Sequence, residues 1–214
     1  MNKIIAVSDL HIGQEISNTD AMDKFLDVVD DSVDLLILDG DILDLWRMKF
    51  VQIEKENHEL LNKLRKVSFL TPTVWLLGNH DYSVPKKRFP DITFKKSHEY
   101  NGWHFEHGDM FDIGMKRYGW AYKIIASMYP PFYQMFFKGP AELITEDQGS
   151  WFLPMHNEAK DYAIEHDISV CVGHSHMPQI LLVNSDRWMC DCGDFVDSNS
   201  YIEIIDGFPH LRRI

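Results

Sequence analysis

A chain of 214 residues, 45% of them hydrophobic, has the apolar content for one sizeable core, and a single domain over residues 1–214 is expected. Its formal net charge of −12 argues against a broad nucleic-acid face, which needs basic surface to meet phosphates. No apolar run reaches membrane-spanning length, and Met1, Asn2 and Lys3 lead into a strand without the apolar block of a signal peptide, so a cytoplasmic protein is expected.

Residues 4–7 form a short apolar run that reads as a buried strand and ends at Asp9-x-His11. Asn18, Thr19 and Asp20 are capping candidates for a helix with Met22, Phe25, Leu26 and Val29 on one stripe. A second strand over 35–38 runs into Gly40-Asp41, with Asp44, Trp46 and Arg47 just beyond, and Ile53, Leu60, Leu61 and Leu64 mark a second helical stripe. Strands over 74–77 and around Trp103 and Phe105 lead to Gly78-Asn79-His80-Asp81 and to His107-Gly108-Asp109. Asp109 reads as a support for its loop.

From 111 to 140 the strand rhythm breaks. Tyr118, Tyr122 and Ile125 share one side of a helix that Pro130-Pro131 ends, amid a dense run of Met, Phe, Tyr and Trp. This insert, taken as about residues 111–155, reads as a packed helix pair or dimer contact. Its other reading is a cap with basic rims, facing an amphiphilic phosphate ester or a membrane surface and making the protein peripheral at the membrane. A strand over 170–172 then reaches Gly173-His174-x-His176. Beyond it, runs over 179–183, 188–192 and 201–205, with Asn184-Ser185-Asp186 as a hairpin turn, suggest a second sheet packed on the first. Cys171, Cys190 and Cys192 stand outside the polar clusters and read as reduced thiols. His58, His98, His104, His156, His166 and His210 lack a cluster partner and read as surface or core residues.

Five polar clusters thus follow five apolar runs. In layered α/β proteins ligands gather at the carboxyl ends of strands, so one sheet edge is expected to collect them. Side chains two apart on an extended segment point the same way, which places Asp9 with His11 and His174 with His176. Carboxylate, amide oxygen and imidazole suit manganese first, with iron or zinc as alternatives, and the lack of thiolates argues against a closed structural zinc site. Two ions roughly 3.5–4 Å apart can share a water, lower its pKa to yield hydroxide and clamp a phosphoryl group for in-line attack.

The ordered set D-x-H, G-D, G-N-H-D, H and G-H-x-H resembles the calcineurin-like metallophosphoesterases from Asp9 to His176. The resemblance implies a four-layer α-β-β-α sandwich of two packed mixed sheets flanked by helices. It assigns Asp9, His11 and His176 to one metal and Asn79, His107 and His174 to the other, with Asp41 bridging. It places His80 beside the substrate phosphate, to stabilise or protonate the leaving group, and Asp81 as the residue that positions it. Arg47, Lys86, Lys87, Arg88, Lys116 and Arg117 are candidate contacts to a phosphate-ester substrate. Ser8-Asp9-Leu10-His11, residues 40–46, the aromatic insert and Gly193-Asp194-Phe195-Val196 look like the UDP-2,3-diacylglucosamine hydrolase branch, which cleaves the pyrophosphate of a lipid-linked nucleotide sugar. That branch carries Arg at the position of His80. A phosphoesterase of unspecified substrate is therefore expected, with that pyrophosphatase, a metal-dependent nuclease and an inactive scaffold as alternatives; oligomeric state is left open.

Overall fold

Strands that are apolar on both sides need cover on both faces. In the computed structural model, which describes residues 2–112, 116 and 146–214, two sheets cover each other and helices cover them outside. β1 (Lys3–Val7), β2 (Leu35–Asp39), β3 (Thr73–Leu76) and β4 (Ile92–Lys95) run parallel, and β10 (Ser200–Ile205) and β11 (Phe208–Arg213) continue the sheet antiparallel beyond β1. The second sheet is built from β5 (Ser97–Tyr100), β6 (Trp103–Glu106), β7 (Ser169–Val172), β8 (Gln179–Leu182) and β9 (Trp188–Asp191), in the order β5-β6-β7-β9-β8, with β6, β7 and β9 parallel. Among the described residues the helices are α1 (Thr19–Val28), α2 (Phe50–Glu56), α3 (His58–Leu70) and α4 (Glu146–His166).

The period-2 alternation of each strand sorts its side chains between layers. Ile5, Val7, Leu36, Leu38 and Trp75 pack with Met22, Phe25, Leu26, Leu61 and Leu64 under the first three helices. Ile4, Ala6, Leu35, Ile37, Val74 and Leu76 turn inward and meet Trp103, Phe105, Cys171 and Cys190 of the other sheet. Val170, Val172 and Met189 are covered by Met155, Ala159 and Ala163 of α4. Burying each large apolar side chain contributes about 1.5–3 kcal/mol, which is why strands as short as four residues hold. The result is the expected α-β-β-α sandwich.

Several expectations need correction. The clusters do not share one sheet edge: β1, β2 and β3 belong to the first sheet, β6 and β7 to the second. The strand at 201–205 joins the first sheet beside β1 rather than the second. The helical stripe from Ile53 to Leu64 is broken at Asn57, so it comprises α2 and α3. Asn18 caps α1 as expected, its side chain accepting from the Ala21 N–H at 3.1 Å. The hairpin at 184–186 also forms, with Asn184 Oδ1 accepting from the Asp186 and Arg187 N–H groups. The helix through Tyr118, Tyr122 and Ile125 and most of the aromatic insert lie outside the described residues, as does Arg117. No helix among the described residues is long and apolar enough to cross a membrane.

Candidate metal centre

Each cluster sits on a loop that leaves the carboxyl end of a parallel strand, and main-chain bonds stitch the loops together. The Asp9 N–H donates to the Gly40 carbonyl at 3.1 Å, that of His11 to Asp41 at 2.9 Å, and that of Gly173 to His107 at 2.9 Å. The last of these bonds lies within the second sheet. The Asp9 carboxylate joins the sheets, accepting the His174 N–H at 2.8 Å.

Asp9, His11, Asp41, His174 and His176 all have left-handed backbones, with φ of 53°, 48°, 53°, 69° and 58°. The extended geometry expected for Asp9-x-His11 and His174-x-His176 is therefore not what aligns them. Each residue lies past the end of its strand, in a conformation that short polar residues tolerate but that costs about 1–3 kcal/mol apiece. Surrounding structure must hold them there. Gly40, itself at φ 84°, is required because a Cβ would run into the His107 ring, and one at Gly78 would run into Asp41 Oδ1.

The side chains converge as two triads. One is Asp9, His11 and His176, the other Asp41, His107 and His174, and within each the donor atoms lie within 4.8 Å of one another. Asp41 also falls within that distance of His11 and His80, which places it between the two groups. Asp9 Oδ2 is taken by Ser8 Oγ and the His174 N–H, whereas Oδ1 has no hydrogen-bond partner and faces His176 Nε2 at 3.2 Å. His107 Nδ1 donates to the Asp39 carbonyl at 2.7 Å, which fixes the tautomer and leaves Nε2 toward Asp41 Oδ2 at 3.3 Å. The Nε2 atoms of His11 and His176 face each other at 3.3 Å.

Buried polar atoms without partners are costly, and several of them fall on the predicted ligands. Asp9 Oδ1, Asn79 Oδ1 and His107 Nε2 are all buried and unsatisfied. Protonation partly compensates. Burial raises the Asp9 carboxyl, but His176 and His107 outweigh it and hold it well below the usual carboxylate range. Burial likewise lowers His176, and Asp9 outweighs it to lift the imidazole to about 9. The lowered carboxyl and the raised imidazole both express a demand for positive charge beside Asp9, which divalent cations bound to neutral imidazoles would also meet.

His80 lies beside this centre and is held differently from expectation. Its Nδ1 is 3.0 Å from Asp44 Oδ1, and Trp46 stacks on its ring at 4.1 Å between centroids. Asp81 does not touch it: its carboxylate accepts from the Ile42 N–H, the Gly78 N–H and Trp75 Nε1, as a loop cap. The chain doubles back after Asp41, so a residue distant in sequence reaches His80 where its neighbour cannot. Burial lowers the His80 imidazole, but Asp41 and Asp44 raise it above the ordinary value. Asp44 itself is pulled down to about 2, as His80 outweighs its burial.

The candidate substrate contacts divide. Arg47 Nε lies 3.7 Å from Asp44 Oδ2, beside His80. Lys86, Lys87 and Arg88 form an exposed 3-10 turn; Arg88 is bound to Glu54 at 2.5 Å and Lys86 lies over the Phe94 ring. Lys116 pairs with Glu158 at 3.1 Å. Sequence reasoning missed Asp112, whose Oδ2 is 3.2 Å from His174 Nε2, since nothing in its neighbourhood marks it out. It also underrated His156. That buried imidazole contacts Ser175 Oγ at 3.1 Å and Asp191 Oδ2 at 3.0 Å, tying α4 to the loop between His174 and His176.

The chain is 30% identical over 86 residues to the UDP-2,3-diacylglucosamine hydrolases of Shewanella sp. and Shewanella putrefaciens, a stretch covering 40% of this chain and only 35% of each relative. A dimetal phosphatase from Danio rerio superposes with a TM-score of 0.51 at 10% identity, covering 94% of this chain and 91% of that one, a likeness of fold. A sequence model of the calcineurin-like phosphoesterases matches residues 2–178. Spanning most of the chain, that match shows that the protein belongs to the calcineurin-like phosphoesterase family.

Proposed function

We propose that this protein is a phosphoesterase working with two divalent ions, manganese for preference. Asp9, His11 and His176 would hold one ion, Asn79, His107 and His174 the other, and Asp41 would serve both. The observation that carries this reading is the position of Asp41 between two donor triads, with Asp9 Oδ1 and His107 Nε2 buried and unsatisfied beside it. When bound, two such ions polarise a phosphoryl oxygen and acidify a water to hydroxide for in-line attack.

The chain's own residues supply the remaining steps. Asp44 accepts the proton of His80 Nδ1, and the opposite nitrogen, Nε2, lies 3.9 Å from Asp41 Oδ2. Because Asp41 and Asp44 favour its protonated form, His80 can donate from Nε2 to the departing oxygen. Arg47, placed beside Asp44, would meet a substrate phosphate oxygen.

Purified protein with manganese should hydrolyse bis(p-nitrophenyl) phosphate, and Asp41→Asn or Asn79→Ala should reduce turnover by more than about 100-fold, beyond the loss typical of an outer-shell change. Turnover that survives both substitutions would refute the assignment. A narrower reading, hydrolysis of a lipid-linked nucleotide sugar, draws on the 30% identity to UDP-2,3-diacylglucosamine hydrolases. It predicts release of uridine monophosphate from acylated UDP-sugars in preference to bare ones. Equal rates on both would remove it.

A further inference from the structure

We infer that a second, buried cation site lies beneath this centre, in which Asp39, Cys171 and Cys192 bind one soft divalent ion of the zinc type and join the two sheets. Asp39 ends β2 in the first sheet, Cys171 lies on β7 and Cys192 directly follows β9 in the second. All three residues are 0% exposed, and one carboxylate oxygen and the two sulfurs lie within 4.8 Å of one another. The proposed phosphoesterase centre uses the Asp39 carbonyl but none of these three side chains.

Two observations point to a ligand. Both carboxylate oxygens of Asp39 are buried without a hydrogen-bond partner, although its carbonyl accepts from Ser8 and His107. Buried carboxylates are ordinarily paired or coordinate metals, and neither Asp39 oxygen has a hydrogen-bond partner among the described residues. The sulfurs of Cys171 and Cys192 are 3.6 Å apart, a spacing that a thiol hydrogen bond spans without an ion and that two thiolates keep around one. Two thiolates each about 2.3 Å from a tetrahedral ion stand roughly 3.8 Å apart, whereas a disulfide needs about 2.05 Å. Cys190, the register partner of Cys171 in the same core layer, lies outside that group of donors.

Donor chemistry separates this site from the upper one. Thiolates select zinc over manganese, and each thiol gives its proton to solvent as the ion binds. Since every donor is buried, the ion would enter as the sheets close and exchange slowly afterwards. Asp39 also precedes Gly40-Asp41 and receives the His107 Nδ1 proton on its carbonyl, so an ion here would steady two residues of the catalytic centre.

The test is metal analysis of the intact protein after EDTA has removed exchangeable ions. Wild type should retain about one equivalent of zinc, and protein produced with cobalt should show thiolate-to-metal charge-transfer absorption. Both signals should vanish in Cys171→Ser and Cys192→Ser and persist in Asp9→Asn, which alters only the upper centre. Wild type without retained zinc or the cobalt band would overturn the site, as would a band that survives both cysteine substitutions or a Cys171–Cys192 disulfide found by mass spectrometry. Should the cysteine variants fail to fold, the wild-type zinc content and band decide alone.

Discussion

His80 draws its raised pKa from Asp41, inside the proposed ligand set, and from Asp44, outside it, which holds one nitrogen while Trp46 stacks on the ring. Removing the Asp44 charge should therefore act on chemistry more than on binding. Asp44→Asn should lower kcat by about 10–100-fold, as loss of an orienting partner does. It should also move the alkaline limb of the kcat profile to lower pH, because His80 then loses its proton more readily. A kcat and pH profile equal to wild type would show that Asp44 does not tune His80. The side chains that the fold brings together were legible in the sequence because they recur as short polar motifs at strand ends. The partner of His80 was not. The family resemblance implied Asp81, but the loop turns that carboxylate onto Trp75 and backbone N–H groups. Nor does residue type announce the left-handed backbones at Asp9, His11, Asp41, His174 and His176, which arise from how the loops are stitched.

Among the elements, buried strands were readable as apolar runs, while β4, β5 and β11 escaped because they alternate with exposed polar residues. Their turns carried a usable signal nonetheless. Asn101-Gly102 and Asp206-Gly207 have φ values of 49° and 79°, and 49° and 89°, the left-handed pairs of two-residue hairpin turns. The β10–β11 hairpin is fastened to β1 by Glu203, which lies 3.2 Å from Lys3 Nζ and 2.8 Å from Arg212 Nε. Burial raises this carboxyl, but Arg212 and Lys3 outweigh it and depress its pKa. A depressed carboxyl contributes stability above its unfolded pKa, roughly 4.3, and loses it as pH falls through the lower folded value. Urea unfolding should find Glu203→Gln less stable by about 0.5–1 kcal/mol at neutral pH, with the difference closing in acid below that folded value. A constant difference at both pH values would mean that packing, not charge, fixes the hairpin.

At the scale of the whole molecule, the centre exists only where two sheets meet. Asp9, His11, Asp41 and Asn79 come from loops of one sheet, His107, His174 and His176 from loops of the other. The order of motifs in the chain picked out these residues but not their division between sheets, because sheet membership depends on long-range pairing that local patterns do not encode. A ligand that binds only the folded arrangement should stabilise both sheets together, by about 2.7 kcal/mol at 100 times its Kd. Manganese titration of chelator-stripped protein, followed by electron paramagnetic resonance, tests the shared role of Asp41 most directly. Two equivalents should bind per chain with a spin-coupled signal, and Asp41→Asn should abolish the coupling. Saturation at one equivalent, or the spectrum of isolated ions at every loading, would contradict a paired centre.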